Sequence, residues 1–190
     1  MKKIILIAAA ALLSIAASAQ VKIGYVNFSE LVQLMPEADQ ARTTFAALQK
    51  DAEETYQTMV AEYQTKAQAY QQKSGTWTAA IKESKENELQ RIAQSIQEYE
   101  QSVSAELQQK QNELMAPIYQ KAQETVKSLA KEQGLTVLFD AGSALYFDEA
   151  SAVDLTAAAR KALGIPADRT LESLQAELAA QAQAQAAQQQ

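Results

Sequence analysis

Two long helical stripes dominate the hydrophobic pattern of the chain. Over residues 37–73 the apolar side chains recur at steps of three and four, and after Gly75 a second stripe with the same spacing continues to residue 115. Steps of this size predict amphipathic helices, because they place the apolar side chains on one helical face. The first stripe is Phe45, Leu48, Ala52, Tyr56, Met59, Tyr63, Ala67 and Tyr70, and the second contains Leu89, Ile92, Ile96, Tyr99, Val103 and Leu107.

A short connection joins the two stripes. Residues 37–73 and 78–115 are of nearly equal length, and Gly75 is the only glycine within this region. Because a connection this short favours antiparallel neighbours, we expect a helical hairpin, here called the arm, with its tip at residues 74–77. At a rise of 1.5 Å per residue, the arm would be about 55 Å long.

Alternating apolar residues outside the arm predict three strands. The stretch "VKIGYVNFSEL" at residues 21–31 alternates between apolar and other side chains. Farther along the chain, "GLTVLFDAGSALYFDEA" at residues 134–150 has two apolar runs on either side of an Asp-Ala-Gly-Ser turn. We expect these runs, residues 135–139 and 145–147, to form a β-hairpin that lies beside the first strand.

Short helices complete the expected α+β fold. Pro117 predicts the start of a separate helix over residues 118–131. The stretches "VDLTAAARKAL" at residues 153–163 and "TLESLQAEL" at residues 170–178 predict two more. Three strands and a few short helices bury little surface for a stable domain. We therefore expect the chain to associate with copies of itself through the sheet.

The first nineteen residues have the pattern of a cleaved export signal. In "MKKIILIAAAALLSIAASAQ" a basic start precedes a short apolar stretch, and Ala17-Ser18-Ala19 matches the A-x-A cleavage pattern. We expect cleavage between Ala19 and Gln20 and, in a bacterium with two membranes, a periplasmic protein. The alternative is an N-terminal membrane anchor, which the shortness of the apolar stretch disfavours.

The composition leaves little chemistry for an active site. The chain contains no histidine and no cysteine, so neither a Ser-His-Asp nor a Cys-His arrangement can be built. It also lacks a glycine-rich phosphate loop. We therefore expect a protein that is not an enzyme and that uses no cofactor or metal. The remaining catalytic hypothesis is a carboxylate site from Asp140, Asp148 and Asp154, which strand ends and a helix cap explain better.

The order of these segments resembles a known family. "KIGYVNFSEL" directly after the signal, a long helical hairpin, and "APIYQKAQETVKSLAKEQGLTVLFD" leading into "ALYFDEASAVDLTAAARKAL" together resemble the Skp/OmpH family of periplasmic chaperones. The resemblance covers residues 21–164. It implies a homotrimer whose protomers pool their strands into a small central barrel. It also implies that three arms project from the barrel and enclose unfolded outer-membrane proteins without using ATP.

The expected organisation has four parts. They are a signal peptide (residues 1–19), an oligomerisation body (residues 20–36 and 116–165), the arm (residues 37–115), and a C-terminal helix with an Ala/Gln-rich tail (residues 166–190). The tail, "AAQAQAQAAQQQ", carries no charge and no periodic core residues. We therefore expect the tail to be frayed or disordered.

Aromatic side chains on the arm are the candidate contacts for a client protein. A tyrosine combines an apolar ring with a hydrogen-bonding hydroxyl, which suits contacts with varied partners. The candidates are Tyr56, Tyr63 and Tyr70 at steps of seven, Tyr99 on the returning helix, and Trp77 at the tip. The alternative is that the tyrosines pack the seam between the two helices and that Trp77 caps the turn.

The charge distribution bears on the partners of the protein. The net charge is −6, and loss of Lys2 and Lys3 with the signal makes it −8. A negative chain argues against nucleic acid as a partner and limits membrane association to peripheral contact. The arm tip has the opposite sign, because residues 66–85 carry one acidic side chain and four lysines, Lys66, Lys73, Lys82 and Lys85. These lysines are further candidates for client contact, although scattered lysines usually form a solvated face.

A second class of function fits the same arm. A structural or adaptor protein of the cell envelope would dock a defined folded partner through the arm tip. The eleven-residue repeat of the first stripe fits such a coiled coil equally well. An adaptor predicts a dry, closed bundle and one specific partner, whereas a chaperone predicts many unfolded clients.

Overall fold

The structure is a computed structural model that describes residues 21–188. The predicted cleavage site at Ala19 and Gln20 lies outside the described residues. The chain is mostly helical, with one small sheet and short 3₁₀ turns at Ser74–Thr76, Ala141–Ser143 and Glu149–Ser151. In chain order the longer elements are β1 (Ile23–Val26), α1 (Phe28–Leu34), α2 (Pro36–Lys73), α3 (Ala79–Glu132), β2 (Val137–Asp140), β3 (Val153–Asp154), α4 (Thr156–Ala162) and α5 (Leu171–Gln188).

The strands form a parallel sheet in the order β2-β1-β3. Ile23 of β1 lies beside Val137 of β2, and Gly24 lies beside Val153 of the shorter β3. The predicted pairing of the first strand with the second is therefore confirmed. Parallel neighbours require a long crossover connection. Here the crossover between β1 and β2 consists of α1, α2 and α3.

The predicted β-hairpin is wrong. Residues 145–147 are not a strand, and the third strand is Val153–Asp154. The reason lies at the end of β2, where the Asp140 carboxylate accepts the N–H groups of Phe28 at 3.1 Å and Gly142 at 3.3 Å. These bonds fix a 3₁₀ turn after β2 in place of a two-residue hairpin turn.

An aromatic cluster accounts for the apolar run that was expected to be a strand. The ring of Phe147 lies 4.7 Å from the ring of Tyr25 and 4.9 Å from the ring of Phe139. Tyr25 and Phe139 are neighbours in register and project from the same face of the sheet. Phe147 therefore packs onto that face, and its segment does not pair with β2.

The first helix begins at an Asn27 N-cap. The Asn27 side-chain oxygen accepts the Glu30 N–H at 3.3 Å, and its amide nitrogen donates to the Glu30 carboxylate at 2.9 Å. Arg160 of α4 donates to the other Glu30 oxygen at 2.8 Å. The same guanidinium donates to the carbonyl oxygens of Pro166, at 3.1 Å, and Arg169. One arginine thus joins α1, α4 and the segment that precedes α5.

The apolar core of the sheet-bearing part lies around α1. This helix packs against both α4 and α5. The largest fully buried side chains are Leu31, Val32, Leu34, Met35 and Leu155. Full burial of a side chain of this size typically contributes about 1.5–3 kcal/mol, so this cluster is the main apolar contribution to the stability of the sheet-bearing part.

The two long helices agree with the stripes in the sequence, except at Pro117. The helix predicted over residues 37–73 is confirmed as α2. The separate helix predicted after Pro117 is wrong, because α3 continues through the proline to Glu132. A proline within a helix removes one backbone hydrogen bond and costs stability. Burial at every fourth position opposes that cost here, at Ile118, Ala122, Val126 and Ala130.

The C-terminal segment also differs from the expectation. Residues 179–188 of the tail, which was expected to be frayed or disordered, belong to α5, and residues 189 and 190 lie outside the described residues. Alanine and glutamine are strong helix formers, and the buried side chain of Leu174 anchors the start of the helix. None of the helices within residues 21–188 is long and apolar enough to cross a membrane.

The contacts divide the chain into two units. One, here called the sheet unit, comprises the described residues up to Pro36 and from Tyr119 onward. The other, here called the helical unit, is Glu37–Ile118. One boundary between the units therefore falls after the first residue of α2, and the other falls within α3.

We predict that Gly24→Val destabilises the sheet unit. A Cβ atom at this position would lie 2.3 Å from the Leu135 Cδ1 atom and 3.1 Å from the Val153 carbonyl oxygen. Overpacking of this kind typically costs about 1–3 kcal/mol, so urea denaturation should show a lower midpoint. The matched control is Gly75→Ala, because nothing lies within 4 Å of a Cβ atom there. An unchanged midpoint for Gly24→Val would contradict the close packing of β1 between its neighbours.

Candidate functional site

The turn between the long helices gathers most of the residues predicted to contact clients. We call residues 66–88 the tip region. Within it, the Tyr70 hydroxyl donates to the Glu86 carboxylate. The rings of Tyr70 and Trp77 meet edge to face, with centroids 5.8 Å apart and an angle of 66°. The Trp77 side chain is half-buried, and the backbone N–H of Trp77 donates to the Ser74 carbonyl oxygen at 3.3 Å.

Two of the four predicted lysines converge on one carboxylate. Lys66 of α2 donates to Glu88 of α3, and Lys85 of α3 donates to the same carboxylate at 2.7 Å. Lys66 also lies 3.5 Å from the Glu62 carboxylate. The hydrogen bonds from Lys66 and Lys85 lower the pKa of Glu88 to about 2, and the bond to Glu88 raises the pKa of Lys66. Glu88 is therefore ionised at neutral pH and links the two helices.

Two further tyrosines bond across the helices outside the tip region. The Tyr99 hydroxyl of α3 donates to the Ala52 carbonyl oxygen of α2 at 3.0 Å. The Tyr56 hydroxyl bonds to Glu100, and this hydrogen bond is the main cause of the raised pKa of Tyr56. The bond to Glu86 likewise raises the pKa of Tyr70. Tyr56, Tyr70 and Tyr99 thus each use the hydroxyl to join α2 to α3.

The other predicted contact residues are more open to solvent. Tyr63 is 36% exposed, the largest value among the four tyrosines of the stripes. Lys73 is exposed and Lys82 is partly exposed, and neither forms an ion pair with another described residue. Among the described residues, the side chains of Tyr63, Lys73 and Lys82 therefore form no bond to the opposite helix, and Lys85 bonds only within α3.

The acidic partners of these residues were missed by the sequence reasoning. Glu86, Glu88 and Glu100 receive the cross-helix bonds of Tyr70, Lys66 and Tyr56. The sequence could have indicated Glu86 and Glu88, because pairing two stripes of equal length in antiparallel register places residues 86–88 opposite residues 66–70. The apolar stripes and the lysines were considered by themselves, without pairing the polar positions of the two helices.

A second region of interest is an exposed apolar surface of the sheet unit. Leu145 and Tyr146 are 106% and 87% exposed, although the adjacent Phe147 ring is packed onto the sheet. Ile23 and Val137, side by side in register, are 38% and 46% exposed. Contiguous exposed apolar residues commonly mark an interaction surface, and each of these two pairs is contiguous, one in the sequence and one in the sheet. We call these four residues the apolar face.

The three aspartates of the catalytic hypothesis serve as local caps. Asp140 accepts the N–H groups at the start of α1 and of the following turn. Asp148 accepts the Ala150 N–H and the Ser151 hydroxyl, and these bonds lower the pKa of Asp148. Asp154 accepts the Thr156 N–H at 2.7 Å. Among the described residues, no group of three or more acidic, His or Cys side chains could hold a metal ion.

The chain is similar to proteins of one family. A family model described as outer membrane protein (OmpH-like) matches residues 22–163. The chaperone protein Skp of Yersinia enterocolitica is 30% identical over 148 residues, which cover 76% of this chain and 89% of the relative.

A solved structure supports the same likeness at the level of the fold. It is the crystal structure of an outer membrane chaperone (OmpH-like) from Caulobacter crescentus, with a TM-score of 0.67. The two chains are 17% identical, and the superposition covers 76% of this chain and 85% of the other. At an identity this low, the structural match shows only that the two chains share a fold. The family match, in contrast, extends over the three strands and both long helices.

Proposed function

Because this chain belongs to the OmpH-like family of outer membrane proteins, we propose that it is an ATP-independent chaperone for unfolded outer-membrane proteins in the periplasm. The observation that carries the proposal is the family match over residues 22–163, which includes the sheet and both long helices. The named relative is a chaperone, and the solved structure is of an outer membrane chaperone. The comparisons do not favour the alternative of a structural or adaptor protein.

The nature of the client explains why no catalytic group is required. Unfolded outer-membrane strands expose alternating apolar side chains and unpaired backbone groups, and they aggregate by pairing at their edges. A chaperone that binds only the unfolded chain shifts the equilibrium away from aggregation by mass action. Insertion of the folded barrel into its membrane then removes the client, because the chaperone has no affinity for the folded state.

The proposal assigns client binding to the arm, residues 37–115, as an antiparallel helical hairpin. In support, residues 52, 66 and 70 of α2 bond in that order to residues 99, 88 and 86 of α3, so the partner number falls along the helix. In the helical unit, the described side chains that are buried belong only to Ala38, Ala41 and Ile118. Most apolar side chains of α2 and α3 therefore keep accessible surface that many weak client contacts can use.

The proposal assigns self-association to the body, residues 20–36 and 116–165. A sheet of three short strands leaves both of its outer strands unpaired on one side. The apolar face adds Leu145, Tyr146, Ile23 and Val137 to this open surface. A homotrimer that pools three such sheets would cover the edges and the apolar face together, and it would bring three arms around one client.

We predict that a charge placed on the apolar face prevents assembly. The double variant Leu145→Asp and Tyr146→Asp would bury two carboxylates in the proposed interface, which is costly without partners. Sedimentation velocity should give the mass of a trimer for the mature wild type and the mass of a single chain for the variant. The matched control is Leu178→Asp, because Leu178 of α5 is 40% exposed and lies outside the apolar face. A variant that remains trimeric would place the interface elsewhere.

We predict that the mature protein suppresses aggregation of a denatured outer-membrane protein on dilution from urea, measured by light scattering.

We further predict that Tyr63→Ser weakens this suppression of aggregation, because Tyr63 is the most exposed tyrosine of the stripes. Tyr119→Ser is the matched control, since Tyr119 is 50% exposed but belongs to the sheet unit. Unchanged scattering with wild-type protomer in threefold excess over client, and no complex by native mass spectrometry, would refute the chaperone proposal.

A further inference from the structure

We propose that the tip region is a salt-sensitive clamp, in which the bonds of Lys66, Tyr70 and Lys85 to two glutamates of α3 decide whether Trp77 is covered or exposed. The clamp is a conformational equilibrium of the free chain. It goes beyond the proposed function and is measured without the client, so it can hold or fail independently of that function.

Apolar packing alone holds the tip region weakly. Between residues 66 and 88, no described side chain is fully buried, and Ile81 is 43% exposed. Trp77 is covered in part by the ring of Tyr70, which itself is only half-buried. Because the hydrophobic contribution scales with the apolar area removed from water, this end of the helical unit gains less from packing than a buried core does.

Polar bonds also join α2 to α3 in the tip region, and their acceptors are two carboxylates. Glu88 receives Lys66 from α2 and Lys85 from α3, while Glu86 receives the Tyr70 hydroxyl from α2. The bond to Glu86 also fixes the Tyr70 ring against which Trp77 packs. Loss of these bonds would therefore release the two helices from each other and uncover the indole ring at the same time.

The clamp is open to ions. A surface cleft of about 420 Å³ lies beside Glu88, and its lining includes Glu62, Arg91 and Ile92. The charged groups around Glu88 are thus Lys66 and Glu62 of α2, and Lys85, Glu86 and Arg91 of α3. Exposed charge pairs are screened by salt, since the Debye length falls from about 10 Å at 0.1 M to about 3 Å at 1 M. The closed state should therefore lose stability as salt rises.

The chain carries its own reporter for this equilibrium. Trp77 is the only tryptophan among the 190 residues, so tryptophan emission reports on the tip region alone. We expect the emission of the mature wild-type protein to move to longer wavelength between about 0.1 and 1 M NaCl, with stronger quenching by acrylamide. Far-ultraviolet circular dichroism should stay constant, because the helices separate locally and do not unfold.

Two variants identify the bonds responsible. Glu88→Gln removes the charge that joins Lys66 to Lys85 while keeping the size of the side chain, so at low salt it should show the emission and quenching that the wild type reaches at high salt. Adding salt to this variant should change little. Glu113→Gln is the matched control: it removes a pair with Lys110 at 2.8 Å within α3, and it should respond to salt as the wild type does.

Two results would overturn the clamp. One is wild-type emission and quenching that do not change with salt, a test that needs no variant and so does not depend on how a variant folds. The other is a Glu88→Gln protein with wild-type helix content whose Trp77 signal at low salt matches that of Glu113→Gln. The first result would mean that packing, and not the carboxylate bonds, keeps Trp77 covered, and the second would mean that the ion pairs of Glu88 do not control the cover of Trp77.

Discussion

The fold depends on the parallel pairing of β1 with β2. These strands lie more than a hundred residues apart in the chain, yet they align from Ile23 beside Val137 to Val26 beside Asp140. Parallel pairing cannot be closed by a tight turn, so the intervening chain must leave one end of the sheet and return to the other. Both long helices belong to that crossover. The pairing uses only four residues in each of these two strands.

The two units are stabilised by different kinds of interaction. The sheet unit is held by a buried apolar core around α1 and by caps such as Asn27 and Asp140. The helical unit has few buried side chains, and its helices are joined by bonds such as those of Tyr99 and Lys66. A buried core favours one arrangement, whereas exposed polar bonds allow adjustment at small cost. This contrast suits a division between a body that assembles and an arm that holds varied clients.

The sequence predicts those elements of the fold that are determined by neighbouring residues, and it fails where residues distant in the chain decide the structure. The stripes that became α2 and most of α3 were predictable, because apolar steps of three and four are repeated many times. The error at Pro117 arose because packing at Ile118 and Ala122 outweighs a local breaker. The expected hairpin is absent because Asp140 bonds to Phe28, more than a hundred residues away in the chain. Alternation alone could not reveal that residues 145–147 would pack onto the sheet through Phe147 and leave Leu145 and Tyr146 exposed.

We propose that the sheet unit assembles the protein while the helical unit binds the client. Hydrogen exchange of the intact mature protein, followed by mass spectrometry with and without a denatured outer-membrane protein, separates these two roles. We predict slow exchange in β1 and β2 in both conditions, and new protection on client binding confined to α2 and the part of α3 before Ile118. New protection in the strands, with exchange in the long helices unchanged, would show that the sheet unit binds the client.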